Sequence, residues 1–136
     1  MAEFNETIRI NPHNAGAYVG IGQLQTNTGN FAEAEKAFQK ALEISPLDDS
    51  AYNGQGFAFE KQDLPAKALS VFKKAIEVNP TVPFGYVNVA RILEKMGQPS
   101  EAIKNLLAAD KFLLAGPEKQ RLKNEIARIT QQMQRN

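Results

Sequence analysis

The chain has 136 residues, of which 43% are hydrophobic, and its 16 basic and 15 acidic side chains leave a formal net charge of +1. This near-balance gives no electrostatic footprint for nucleic acid or an anionic membrane, and no apolar run approaches the ~20 residues that span a bilayer. The chain contains no cysteine, so disulfides, thiolate metal sites and cysteine nucleophiles are excluded.

The sequence repeats itself at an interval of 34 residues. The same residue types recur three times in register at Pro12, Pro46 and Pro80; Tyr18, Tyr52 and Tyr86; Ala34, Ala68 and Ala102; and Ala41, Ala75 and Ala109. A fixed period of this length is typical of a helical repeat array, in which each repeat contributes a pair of helices. We therefore predict an all-α fold.

Residues 1–12 predict the second helix of a repeat whose first helix is missing. Phe4 and Ile8 fall one period before Phe38 and Leu42, on the apolar stripe of that type of helix. Because a repeat cannot bury its hydrophobic face alone, we expect Phe4 and Ile8 to be exposed. We expect the chain to be part of a longer protein. The alternative is a natural end whose exposed face pairs with a partner or with a second copy of the chain.

Residues 15–48 are predicted to form the first complete repeat. Its first helix spans 15–28 and ends there because Gly29 readily adopts the left-handed conformation that closes a helix. Its second helix spans about 32–44, and Pro46 prevents its continuation. The repeat is therefore a helix–turn–helix unit.

Residues 49–82 and 83–116 are predicted to form the second and third repeats. In the second repeat, Asp63 is the predicted N-cap of the second helix, and Pro65 suits the first turn, where a missing N–H group has no consequence. Pro99 has the same role in the third repeat.

Small side chains are predicted where the two helices of each repeat cross. The positions on the first helices are Gly22, Gly56 and Ala90, and those on the second helices are Ala34, Ala68 and Ala102. Small residues on both sides allow the helices to approach closely, while tyrosine and phenylalanine fill the wider ends.

Residues 117–136 are predicted to form a C-terminal capping helix. It places one narrow apolar stripe at Leu122, Ile126, Ile129 and Met133, with basic and amide side chains on the other faces. Such a helix shields the last repeat of an array from water. The alternative, a basic amphipathic helix for membrane or calmodulin-type contact, receives less support because the stripe is thin and lacks aromatic residues.

The repeated residues resemble those of the tetratricopeptide repeat family. The matching positions are Tyr18, Ile21, Gly22, Ala34, Phe38, Ala41 and Pro46, then Tyr52, Gly56, Phe59, Ala68, Phe72, Ala75 and Pro80. The third repeat is looser, with Ala90 for glycine, Leu106 for an aromatic residue and Leu114 for proline. The resemblance covers nearly the whole chain. It implies a right-handed helix–turn–helix solenoid with three full repeats, an N-terminal half repeat and the capping helix.

The resemblance also implies which side chains line a concave groove that binds a partner. Our predicted partner-binding residues are Val19, Gln23, Asn27, Asn53, Phe57, Glu60, Lys61, Phe84, Val87, Asn88, Arg91 and Lys95. Phe57 and Phe84 lie off the core stripe and are candidate anchors for an apolar side chain; alternatively, they pack against each other and against neighbouring repeats. The amides of Gln23, Asn53 and Asn88 can both donate to and accept from an extended peptide backbone.

We predict a non-catalytic protein–protein interaction module, a scaffold or adaptor whose groove binds a peptide or partner segment, with no cofactor and no metal. His13 is the only histidine, and the sequence gives it no positioned partner for acid–base catalysis. An RNA-binding repeat would need a basic groove, whereas Glu60 and Glu94 accompany Lys61 and Lys95.

Two further interaction classes remain as alternatives to groove binding of a general peptide. The first is self-association or docking through the ends of the array. The second is the family subtype that holds the C-terminal carboxylate of heat-shock chaperones with lysine, arginine and asparagine side chains. This chain has Val19, Gln23, Gly54, Phe84 and Asn88 at those positions, so these three repeats retain no cationic pair to hold a carboxylate.

Overall fold

The computed structural model describes all 136 residues, which form eight α-helices and no strand. The helices are α1 Ala2–Ile10, α2 Ala15–Asn27, α3 Phe31–Ile44, α4 Asp49–Lys61, α5 Pro65–Val78, α6 Pro83–Lys95, α7 Pro99–Asp110 and α8 Pro117–Arg135. None of them combines the length and the apolar character that a membrane span requires. The predicted all-α class is confirmed, and most helix bounds agree with the sequence prediction within one or two residues.

The chain divides into two compact units, Met1–Asn79 and Pro80–Asn136. In the first unit, α2 packs against α3 and α4 against α5, while α3 and α4 join the two pairs and α1 packs on α2. The side chains at the centre of this unit are small or aromatic: Ala34, Phe38, Ala41, Ala51, Ala68, Phe72 and Ala75. Alternation of alanine with phenylalanine lets neighbouring helices approach closely without leaving cavities.

Aromatic rings of the second-type helices fill spaces beside glycines of the first-type helices. A Cβ atom at Gly22 would lie 2.5 Å from the ring of Phe38, and one at Gly54 would lie 2.3 Å from the same ring. Phe72 lies equally close to Gly56, at 2.4 Å. Any side chain at these glycines would overlap the ring, so the glycines are required by packing rather than by backbone conformation.

The N-terminal helix α1 uses the same packing device. A Cβ atom at Gly20 would lie 2.5 Å from the ring of Phe4. Phe4 and Ile8 are consequently half-buried rather than exposed, so the predicted exposure of both side chains is wrong. The exposed apolar residue of α1 is instead Ile10, at 71% exposure.

The turns inside the three helix pairs share a left-handed backbone position. It is occupied by Gly29 (φ +82°), Asp63 (φ +58°) and Gly97 (φ +73°), which are 34 residues apart. The prediction that Asp63 caps α5 is therefore wrong, because the N-cap is Leu64 and no side chain caps that helix. Aspartate is one of the few residues other than glycine that tolerates this conformation.

The conformation of Asp63 leads to a test of turn stability. We expect Asp63→Val to lower the free energy of unfolding by about 1–2 kcal/mol, because a β-branched side chain clashes with its own backbone at positive φ. Asp63→Gly should be at least as stable as the native chain, since glycine adopts this region freely. Urea unfolding monitored by circular dichroism gives the order of the three proteins, and equal stability of the two variants would contradict the assignment.

The second unit contains α6, α7 and α8, with α7 packed against both of the others. Its buried apolar side chains include Val89, Ile92, Leu93, Leu106, Leu122 and Ile129. Helix α7 ends at Asp110, earlier than the predicted stop at Gly116. Phe112 follows α7 and stacks on Tyr86 with 5.9 Å between ring centroids, so the connection to α8 is packed against α6.

Candidate functional site

The first unit has a depression between α2 and α4, which we call the α2–α4 depression. It has a volume of about 290 Å³ and is lined by Gln23, Thr26, Asn27, Gly54, Phe57 and Lys61. Four of these, Gln23, Asn27, Phe57 and Lys61, are among the predicted partner-binding residues. The structure therefore brings one cation, two amides and one aromatic ring to the same surface.

Phe57 is the apolar element of this depression. It is half-buried and packs edge-on against Phe72, with 5.4 Å between ring centroids and 79° between ring planes. The ring is thus held from beneath and keeps part of its surface accessible. Gln23, Asn27 and Lys61 surround it as exposed side chains. Thr26 is buried, and its hydroxyl donates to the carbonyl of Gly22 at 2.8 Å, which fixes the wall of the depression.

The other three predicted residues of this unit lie elsewhere. Val19 and Asn53 are buried, at 6% and 7% exposure, and Glu60 is half-buried outside the lining. Val19 and Asn53 stand one period apart, and both side chains lie in the interior rather than on the surface. They support the helices and do not offer contact area to a partner in this conformation.

The second unit has a larger groove between α6 and α8, which we call the α6–α8 groove. It has a volume of about 780 Å³. Its apolar lining is Pro83, Phe84, Val87, Ala90, Leu106, Leu113, Leu122 and Ile129, and its charged lining is Arg91, Glu94, Glu118, Arg121 and Glu125. Phe84 remains 51% exposed at its edge. The volume lies within the range of pockets that bind organic ligands.

Three of the five predicted residues of the second unit line this groove: Phe84, Val87 and Arg91. Asn88 is fully buried, and its side-chain oxygen accepts a hydrogen bond from Arg91 at 3.2 Å. Its amide thus orients Arg91 instead of presenting itself to a peptide backbone. Lys95 is exposed and does not line the groove.

Sequence reasoning missed the contribution of α8. Glu118, Arg121, Leu122, Glu125 and Ile129 form one wall of the α6–α8 groove. A signal for this was present, because Pro117 follows Pro83 by the repeat interval of 34 residues. The register of the repeats therefore continues into α8, although the residue types of the earlier repeats do not.

An ionic cluster holds α8 beside α6. The guanidinium of Arg128 donates to both carboxylate oxygens of Glu94, at 2.7 and 2.8 Å, and also to Glu125. The hydrogen bond from Arg128 lowers the pKa of Glu125 below its usual value, so Glu125 stays ionised near neutral pH. A bidentate arginine pair fixes orientation as well as distance.

Eight helices arranged as successive helix pairs at a 34-residue interval define the chain as an α-helical repeat protein. The chain belongs to the tetratricopeptide repeat family, because family profiles match residues 15–47, 49–82 and 71–104 and together span more than half of it. The predicted membership and fold are confirmed. The last two matches overlap, and no match covers α8. A search of curated protein sequences finds no match to the chain.

Solved structures show the same fold. SycD, the type III secretion translocator chaperone of Yersinia enterocolitica, matches with a TM-score of 0.75 and 18% identity over 86% of this chain and 83% of SycD. SycD in complex with a peptide of the translocator YopD matches with a TM-score of 0.73. MamA matches with a TM-score of 0.76 and 18% identity over 96% of this chain and 74% of MamA. YrrB, described as a TPR protein with an unusual peptide-binding site, matches with a TM-score of 0.70 and 24% identity over 80% of this chain and 56% of YrrB.

Proposed function

We propose that this chain is a non-catalytic protein-interaction module that binds a peptide segment of a partner protein. The observation that carries the proposal is the α2–α4 depression, where the supported ring of Phe57 is surrounded by Gln23, Asn27 and Lys61. A rigid aromatic ring offers contact area with little loss of conformational freedom. The amides can pair with the backbone of an extended segment.

Peptide binding by proteins of the same fold supports this proposal. SycD has been solved with a peptide of YopD, and YrrB is described as having a peptide-binding site. In this chain, scaffold or adaptor activity would follow from holding a partner segment against the first helices of the repeats. The chain carries little net charge, so we propose that apolar contact and amide hydrogen bonds contribute more to affinity than long-range electrostatics.

Self-association through the N-terminal helix is a weaker proposal. It was motivated by exposure of Phe4 and Ile8, and both side chains are half-buried on the native chain. A partner at this end would have to use Ile10 and Met1 instead, at 71% and 47% exposure.

The role of Phe57 is tested with peptides selected from a phage-displayed random library on the native chain. We expect Phe57→Ala to weaken the selected peptides by at least about tenfold, the effect of removing an aromatic anchor from a binding site. Isothermal titration calorimetry gives the dissociation constants, and thermal melting by circular dichroism verifies that each variant is folded.

Phe59→Ala is the matched control. Phe59 lies two residues away on the same helix, is also half-buried, and has Lys67 Nζ 5.7 Å from its ring centre, outside the α2–α4 depression. It should change affinity by less than about twofold. Equal losses in the two variants would mean that Phe57 acts through folding alone. An affinity that falls steeply with added salt would also contradict the proposal, because it would indicate electrostatic binding.

A further inference from the structure

Helix α8 occupies the place of a first-type helix in the repeat register. Pro83 and Pro117 begin α6 and α8, and they are separated by 34 residues. Glu94 and Arg128 are separated by the same interval and form the bidentate ion pair between the two helices. Helix α8 therefore extends the partner-facing surface of α6 as well as covering the end of the array.

The position of α8 is fixed before any partner arrives. Besides the Glu94–Arg128 pair, Lys119 Nζ donates to the carbonyl oxygens of Asp110 and Leu113, at 3.0 and 3.3 Å, and lies 3.4 Å from the Asp110 carboxylate. These bonds join the start of α8 to the C-terminus of α7, whose free carbonyl groups attract a cation. Because the groove is preformed, a partner does not have to pay for ordering its walls.

The interior of the α6–α8 groove suits apolar side chains. Its walls are Phe84 and Val87 of α6 and Leu122 and Ile129 of α8, with Leu106 of α7 also in the lining. Its volume of about 780 Å³ accommodates more than one large side chain. Burial of aliphatic and aromatic side chains there would supply the main favourable term in binding.

The charges around the groove are not equally available to a partner. Glu94 and Glu125 both accept hydrogen bonds from Arg128. Glu118 lies in the first turn of α8, where the N–H groups of the helix end stabilise a carboxylate. Arg121 is exposed, lines the groove and makes no ion pair or hydrogen bond through its side chain. The guanidinium that remains open to a partner is therefore that of Arg121.

We infer that the α6–α8 groove binds an apolar segment of a partner protein that carries an aspartate or glutamate beside its large side chains, with that carboxylate paired to Arg121. The inference rests on the proposed function and adds the class of segment and a second site. A carboxylate matches the guanidinium in geometry and charge. A basic segment would bring a like charge against Arg121.

The test uses phage-displayed random peptides selected on the native chain, with counter-selection on Arg121→Glu. Enriched peptides are expected to combine an Asp or Glu with large aliphatic or aromatic residues. Binding of the synthesised peptides should fall by at least about tenfold in Arg121→Glu. A peptide in which that acidic residue is replaced by lysine should bind Arg121→Glu more tightly than it binds the native chain.

Lys123→Glu is the matched control, because it makes the same charge change two residues away on α8, at an exposed position outside the groove lining. It should leave affinity within about twofold of the native value. Leu122→Ala tests the apolar part, and melting curves verify that α8 remains folded in every variant. If Leu122→Ala unfolds α8, Arg121→Glu alone decides, since its side chain is exposed.

Three outcomes would overturn the inference. They are enrichment of basic peptides, equal losses in Arg121→Glu and Lys123→Glu, and failure to enrich any peptide. Peptides that lose affinity in Phe57→Ala but not in Arg121→Glu would overturn it while supporting the proposed function. Peptides sensitive to Arg121→Glu but not to Phe57→Ala would support the α6–α8 groove and remove the α2–α4 depression from the proposed function.

Discussion

Replacing Phe38 by alanine is expected to lower the free energy of unfolding by about 3–5 kcal/mol, the range for a fully buried phenylalanine. Phe38 has 0% exposure, and its ring lies between Gly22 and Gly54. Neither glycine has a side chain that could move into the space left by the ring, so most of the cavity would persist. Its volume therefore adds to the lost transfer free energy.

Urea unfolding followed by circular dichroism measures this loss. Phe59→Ala serves as the comparison, because Phe59 is only half-buried and its removal should destabilise the chain less. A loss of less than about 1 kcal/mol for Phe38→Ala would contradict the packing described here, since it would require the helices to close over the vacated space.

Adding one methyl group at Gly54 is expected to destabilise the same region from the opposite direction. The new Cβ atom of Gly54→Ala would lie 2.3 Å from the ring of Phe38. The ring cannot retreat, because Gly22 packs against it at the same close range. Overpacking of this kind lowers the free energy of unfolding by about 1–3 kcal/mol, which outweighs the gain of up to about 1 kcal/mol in helix propensity.

A double-mutant cycle separates this clash from other effects of Gly54→Ala. In a Phe38→Leu background the added methyl group has room, so Gly54→Ala should be less destabilising by about 1 kcal/mol or more. Gly16→Ala is the control, since its Cβ atom would meet nothing closer than 3.4 Å; it should leave stability unchanged or raise it. Additive losses for Gly54→Ala and Phe38→Leu would exclude the proposed contact.

Helix bounds and core positions could be predicted from the sequence because the repeat registers each side chain three times. Glycine, alanine and phenylalanine at fixed intervals specify where helices approach closely, and the contacts of Phe38 with Gly22 and Gly54 follow from that pattern. The turn at Asp63 was mispredicted because aspartate is common both at helix N-caps and in left-handed turns. Its alignment with Gly29 and Gly97 decides between the two.

The candidate site was predicted less completely than the fold. Register indicates the face of a helix on which a residue lies, but not whether neighbouring side chains cover it. Asn88 stands one period after Gly54 and two after Gly20, both of which are buried, and it is buried as well. The wall formed by α8 was missed because its residue types depart from the repeat pattern while its spacing does not.

The position of each aromatic ring between two glycines has a consequence for how the first unit unfolds. Phe38 belongs to α3 but packs on α2 and α4 alike, so no helix pair has a core of its own. Separating α2 and α3 from α4 would expose one side of the ring and forfeit interfacial free energy that neither pair can recover alone. Nearest-neighbour coupling of this kind makes adjacent repeats melt together. The glycines that look like weak points in the sequence therefore make the unit cooperative.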